Sequence, residues 1–315
     1  VTVCGKPGLR ALASLAKAGD LYGVDLDPGG YLDRSSEQGE LFGIPWEAEQ
    51  RRMGLPVIRS AGVFVDKADR ASLMKAFSLV VDPGTVRMVS LHGRWLERGC
   101  SRDLLHCVRG CDDPLAFVLA EQFDPLAHPG AIDGLRALLD AAGAGGRRVE
   151  LLRTDVTGIA FAALGGSLGA VGLSTTTRHH GLPLGKRAGK EHEQRRSVPY
   201  VFTRPLLSWQ KGTALGALTP FGGAEITYCD CDACRGRDIR RFDREWLGVV
   251  PPDVRADARE HDLHTWLALA SEVLRAPDPI AAWRAACASA VATAANIANT
   301  YKVHLTVPQS VSRWQ

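Results

Sequence analysis

Six times between residues 21 and 180, a short apolar or β-rich segment runs into polar residues and on toward a helix-like stretch. The segments are LYGVDLDPGGY (21–31), VIRSAGVFVDKAD (57–69), VRMVSLHGRW (86–95), LAFVLAEQFD (115–124), VELLRTD (149–155) and LGAVGLSTTTRHH (168–180). Helical patterns follow several of them: RASLMKAFS, IDGLRALLDAAG and TGIAFAALGG. Such alternation is how a parallel sheet with crossover helices looks in sequence, because parallel neighbours need a long connection. It predicts an α/β fold, foremost a (β/α)8 TIM-type barrel whose opening strands are not evident at the N-terminal end. A doubly wound open sheet is the other arrangement. No G-x-G-x-x-G follows the first strand, which counts against a dinucleotide fold.

The rest of the chain reads differently. RHHGLPLGKRAGKEHEQRRS (178–197) is basic, polar and glycine-bearing, as exposed loops are. Beyond it the alternation stops, so the boundary is placed at 198: an α/β barrel over 1–197, and a zinc-binding, helical part over 198–315. The last long helix is expected to start at Asp278 as N-cap with Pro279 in its first turn.

With 45% hydrophobic and 23% charged residues among 315, the chain has the composition of a folded globular protein. No apolar run approaches the ~20 residues that span a bilayer, and the first residues lack the apolar centre of a secretory signal. The expectation is a cytoplasmic protein with no membrane partner. A net charge of +3 permits nucleic-acid binding without requiring it.

Three of the eight cysteines fall within six residues, Cys229, Cys231 and Cys234. Disulfide frameworks belong to small secreted chains, so metal binding is the expected use. Three thiolates from one tight turn leave one vacancy in a tetrahedral zinc shell. His261 and His264, three apart in a helix-like stretch, are the two candidates to fill it. A four-ligand shell leaves no open position, so the zinc is read as structural. The His106, Cys107, Cys111 group has metal-like spacing, but a helix with two buried thiols is the expected form.

These residues resemble the tRNA-guanine transglycosylase family, zinc-containing (β/α)8 barrels that exchange guanine in nucleic acid for a 7-deazaguanine. The family's C-x-C-x2-C is followed about a helix later by His-Asn-Leu; here His261-Asp262-Leu263 follows, which favours His261. The family's Asp-Ser-Gly-Gly-Phe turn is matched by Asp27-Pro28-Gly29-Gly30-Tyr31. The resemblance implies Asp27 as general base and Tyr31 as the aromatic stacked on the purine. It further implies Asp66 as reader of the purine edge, His92 (Leu91-His92-Gly93 against Val-Gln-Gly) as a substrate contact, and Arg178 as the end of the Thr-Arg segment. Three departures stand out. Where the family has its nucleophilic aspartate this chain has Gly172; a Gly-Gly-Leu motif is missing, since Gly165-Gly166-Ser167 reads as helix; and the segment before the cysteines is long. The pattern is that of a divergent member, and a DNA-modifying branch of the family is within its range.

Base exchange needs a carboxylate near the anomeric carbon and a second group to move protons at the purine. Asp155, at the end of a strand where barrel active sites lie, is the substitute nucleophile, although an aspartate there also suits a helix cap. Asp25 and Asp27 alternate along one strand and are expected on one face, with Asp25 as a substrate contact. The basic loop, with Lys186, Arg187, Arg195 and Arg196, would hold phosphates or simply face solvent. The expected partners are nucleic acid, DNA or tRNA, and the 7-deazaguanine base, with a homodimer or a partner subunit as the protein associations. The contrasting expectation is a catalytically inactive, zinc-containing nucleic-acid-binding paralogue.

Overall fold

The alternation of the first part folds into a five-stranded parallel sheet. The computed structural model describes residues 2–4, 25–27, 46–98, 101–121, 124–143, 145–172, 178, 196–221 and 223–314. They belong to two units, Val1–Leu182 and Pro183–Gln315.

In the first unit β1 (Thr2–Cys4) and β2 (Asp25–Asp27) form a parallel pair with Cys4 opposite Asp27. Helix α1 (Trp46–Arg52) precedes β3 (Ile58–Val65), and α2 (Arg70–Ser78) leads to β4 (Val86–His92). A 3-10 turn, Gly93–Leu96, and α3 (Ser101–Arg109) connect to β5 (Leu115–Ala120). Then come α4 (Ala131–Gly143), β6 (Val149–Thr154), α5 (Thr157–Ala163) and β7 (Leu168–Val171). The sheet order is β3-β4-β5-β6-β7, every pair parallel, so each strand lies beside its successor in the chain.

β4 and β5 are buried along their whole length, and their alternate residues enter two different cores. Val89, Leu91, Leu115, Phe117, Leu119 and Leu151 pack with the helix residues Leu73, Leu104, Leu135 and Leu138. The opposite phase, Ile58, Val86, Met88, Ala116, Val118 and Leu152, forms a second cluster of strand side chains only. Each Val, Leu, Ile, Phe or Met among them contributes roughly 1.5–3 kcal/mol by leaving water, so two buried faces explain why these strands read as nearly continuous apolar runs.

Helix and strand backbones touch where glycine permits it. A Cβ on Gly169 of β7 would lie 2.0 Å from the Gly158 carbonyl oxygen of α5. The Gly165-Gly166-Ser167 stretch, expected in a helix, lies beyond the end of α5 at Ala163. Gly165 takes φ +98°, which stops the helix, as positive-φ glycines do.

In the second unit β8 (Arg196–Ser197) pairs antiparallel with β11 (Trp246–Leu247), and β9 (Tyr200–Thr203) with β10 (Ser208–Lys211). Short helices α6 (Gly212–Gly216) and α7 (Ala224–Thr227) precede two long ones, α8 (Pro252–Arg275) and α9 (Pro279–Tyr301), and α10 (Gln309–Arg313) follows. As expected, Asp278 caps α9, accepting from the Ala281 N–H at 2.9 Å. The unit has a core of its own around Val201, Leu206, Ile226, Phe242, Ala258 and Ile297. No helix among the described residues is long and apolar enough to cross a membrane.

Candidate metal centre and strand-end residues

Cys229, Cys231 and Cys234 stand in the turn after α7, and His261 projects from α8 to meet them. Their four ligand atoms lie within 4.8 Å of one another. The sulfurs of Cys229, Cys231 and Cys234 are 3.5, 3.6 and 3.1 Å from His261 Nδ1. Zinc bonds of about 2.3 Å to sulfur and about 2.0–2.1 Å to nitrogen set tetrahedral S···N edges near ~3.6 Å. The donor set therefore fits a metal such as zinc in both chemistry and spacing. His264 is partly exposed, with Asp232 at 3.7 Å, and takes no part in the cluster.

The histidine is prepared for this role from behind. Its Nε2–H donates to the Phe202 carbonyl at 2.9 Å, leaving the Nδ1 lone pair for the metal. Burial holds the His261 ring below the ordinary imidazole value, which keeps it neutral. The neighbouring Asp262 takes the other backbone group of the same residue: the Phe202 N–H donates to its Oδ1 at 2.6 Å, and the Trp209 indole N–H to its Oδ2 at 2.8 Å. Consecutive residues of α8 thus clamp both polar groups of Phe202 on β9.

A positive charge completes the surroundings. Arg241 donates to Cys234 Sγ at 3.3 Å and makes two bonds, 3.0 and 3.2 Å, to the Asp257 carboxylate. Three thiolates around a divalent cation leave one net negative charge, which this guanidinium offsets. Without a metal, burial pushes Cys229 upward and Cys234 up to about 12, so metal binding must displace protons from these thiols. Cys229 and Cys231 also line a pocket with Arg204, Tyr228 and Thr265, which gives a small chelator access.

The His106 group behaves as a helix with two buried thiols. His106 is exposed on α3, Cys107 and Cys111 are buried, and Cys107 Sγ lies 3.6 Å from Met74 Sδ.

At the carboxyl ends of the first unit's strands stand most of the other residues of interest. Asp25 and Asp27 are the first and last residues of β2. Tyr31 and the basic loop over 179–195 lie outside the described residues. Asp66 follows β3 directly and is exposed; its carboxylate accepts from the Lys67 N–H at 2.8 Å and its carbonyl from the Trp95 indole at 2.8 Å. The helix cap in this loop is Asp69, which accepts from the Ser72 N–H. His92 ends β4 and is buried, with Nδ1 3.2 Å from the Arg94 N–H. Asp155 follows β6, is 4% exposed, and accepts from the Thr157 N–H at 2.8 Å, partly the capping role its position suggested. Arg178 is buried.

Sequence reasoning passed over Asp262, Arg241, Glu121 and His128. Only Asp262 carried a signal, its place beside His261; the others are brought in from distant loops and turns.

No protein-family model, curated protein or solved structure matches this chain.

Proposed function

We propose that this chain is a base-exchanging transglycosylase that replaces guanine in DNA or tRNA with a 7-deazaguanine, on a (β/α)8 barrel carrying a structural zinc. The carrying observation is the register of β6 and β7. Thr154 pairs with Val171, and the Gly172 N–H donates to the Thr154 carbonyl at 3.0 Å. Asp155, the residue directly after β6, therefore stands next to the strand end that bonds to Gly172, the position at which the resemblance calls for a nucleophilic carboxylate.

Strand order supports the barrel over a doubly wound sheet, because the latter reverses direction at a switch point and the five described strands β3 to β7 run in sequence without one. The all-strand second core supports it too, as the interior of a βα barrel is filled by strand side chains. Asp27, Asp66, His92 and Asp155 all end or directly follow parallel strands, where such folds gather their catalytic groups.

In the proposed reaction the Asp155 carboxylate attacks the sugar C1′, forming a C–O bond as the C1′–N9 bond breaks and its electron pair leaves with guanine. Guanine takes up a proton from the carboxylic-acid form of Asp27, which leaves Asp27 ionised. The incoming 7-deazaguanine loses its N9 proton to Asp27 and displaces Asp155, restoring an N-glycosidic bond. Zinc, held by Cys229, Cys231, Cys234 and His261, supplies folding stability and no chemical step.

A second reading, a zinc-containing nucleic-acid-binding paralogue or partner subunit without catalysis, is favoured by the burial of Asp155 and its bond to Thr157. Labelled guanine offered with tRNA or duplex DNA decides between them. Base exchange should fall about 10²–10⁴-fold in Asp27→Asn, with zinc content unchanged. A covalent nucleic-acid adduct should vanish in Asp155→Asn. A wild type inert on both nucleic acids, with and without candidate partners, selects the second reading.

A further inference from the structure

Behind His92 runs a chain of titratable side chains from two loops, the one after β4 and the one after β5. His92 Nδ1 is 3.4 Å from the Glu121 carboxylate, the same oxygen lies 2.9 Å from His128 Nε2, and His128 Nδ1 is 3.3 Å from Glu97. All four are at least partly buried, His92 most deeply. Nothing in the metal centre or in the proposed roles of Asp27 and Asp155 uses Glu97, Glu121 or His128.

His92 Nδ1 faces two groups with opposite demands. The Arg94 N–H needs a lone pair there, whereas the Glu121 carboxylate needs a proton. A neutral ring satisfies the first with its proton on Nε2; a charged ring satisfies the second and keeps a proton on Nε2 as well. In both states Nε2 is a donor, and among the described residues it has no hydrogen-bond partner.

We propose that His92 is the hydrogen-bond donor for an acceptor-bearing ligand at the carboxyl ends of the strands, with Glu121, anchored by His128 and Glu97, governing its charge. The ligand class is a carbonyl or unprotonated ring nitrogen, such as the O6/N7 edge of guanine. Its identification as a purine rests on the base-exchange reading. A charged donor makes a shorter and stronger bond than a neutral one, so ligand affinity rises as the ring takes up its proton. The charged and titratable groups facing the ring are Glu121, Asp66, His128 and Arg94. Burial holds His92 below the ordinary imidazole value, while Glu121 and Asp66 work the other way and His128 and Arg94 add to the lowering.

The test follows the ring nitrogens by NMR in the ¹⁵N-labelled, zinc-loaded full chain from about pH 5 to about pH 8. Nε2 should carry a proton throughout, while Nδ1 gains one only on acidification. Glu121→Gln should lower the His92 midpoint, since an attractive charge is lost. His128→Gln should raise it, since a repulsive one is lost. Should Glu121→Gln fail to fold, the sign of the His128→Gln shift decides this point alone. Guanine should shift the Nε2 resonance and bind several-fold more tightly at the acid end. A proton on Nδ1 at the alkaline end, a midpoint indifferent to both variants, or an Nε2 signal unmoved by guanine overturns the proposal. Guanine binding at Nε2 without base exchange in the wild type sinks the catalytic reading and keeps this one; exchange with an unmoved Nε2 does the reverse.

Discussion

Asp262 shows what one residue can be asked to do. The resemblance calls for asparagine after the histidine ligand, and this chain has aspartate. The structure supplies a reason, because two donors, the Phe202 N–H and the Trp209 indole, converge on its two oxygens. An amide has one oxygen to offer and would turn an NH2 against the other donor. Asp262→Asn should therefore cost about 1–3 kcal/mol, the cost of a buried donor left without an acceptor. Thermal unfolding of the zinc-loaded protein measures it, and Trp209→Phe in the same background should recover part of the loss by removing the stranded N–H. A melting point unchanged by Asp262→Asn would show that the clamp carries no stability. At this scale the sequence was legible where spacing along the chain sets the geometry. Three cysteines in one turn had to converge, and the choice of His261 over His264 came from a motif rather than from physics, since both lie on a helix within reach of the turn. Arg241, Asp257 and the His92 chain were not legible, because each depends on contacts between segments that no local spacing dictates.

At the scale of elements, β4, β5 and nearly all of β6 were readable because both their faces are buried, so largely apolar runs mark them out. Strand ends and short pieces were harder. β8 to β11 are two to four residues long, and β10, Ser208–Lys211, alternates buried Ser208 and Gln210 with half-buried Trp209 and exposed Lys211. Its place is set by long-range bonds, Ser208 Oγ and Gln210 Nε2 donating to the Thr306 carbonyl, which lies nearly a hundred residues away in the chain. The contact between α5 and β7 yields a sharper expectation. Gly169 has a carbonyl oxygen where its Cβ would be, and backbone cannot give way as a side chain can. Gly169→Ala should cost about 1–3 kcal/mol, and Gly169→Val more, through overpacking. Gly143→Ala, at a position where a Cβ meets nothing, serves as the control and should be neutral or slightly stabilising. Equal melting points for Gly169→Ala and Gly143→Ala would refute the close packing of α5 on β7.

For the whole molecule, the decisive question is what a metal in the Cys-His cluster would hold up. The second unit buries Cys234 in its core beside Ile226, Ile239 and Phe242, so the ligand turn and the apolar cluster are one structure. The first unit has separate cores with no cysteine of the cluster in them. Structural zinc contributes an apparent ~10–16 kcal/mol, which matches or exceeds the roughly 5–15 kcal/mol by which whole domains are stable. Removing it should therefore unfold the second unit and spare the first. Purified protein is expected to carry about one zinc per chain, and a strong chelator should extract it through the pocket beside Cys229 and Cys231. Limited proteolysis should then cut within 183–315 and leave a protected fragment ending near residue 182. Cys231→Ala should give the same cleavage pattern without chelator. Lowering the pH should mimic both, because metal binding requires deprotonated thiols and protons compete for the sulfurs. A folded preparation without zinc, or a second unit that resists protease equally before and after chelation, would show that the Cys-His cluster does not hold the fold together.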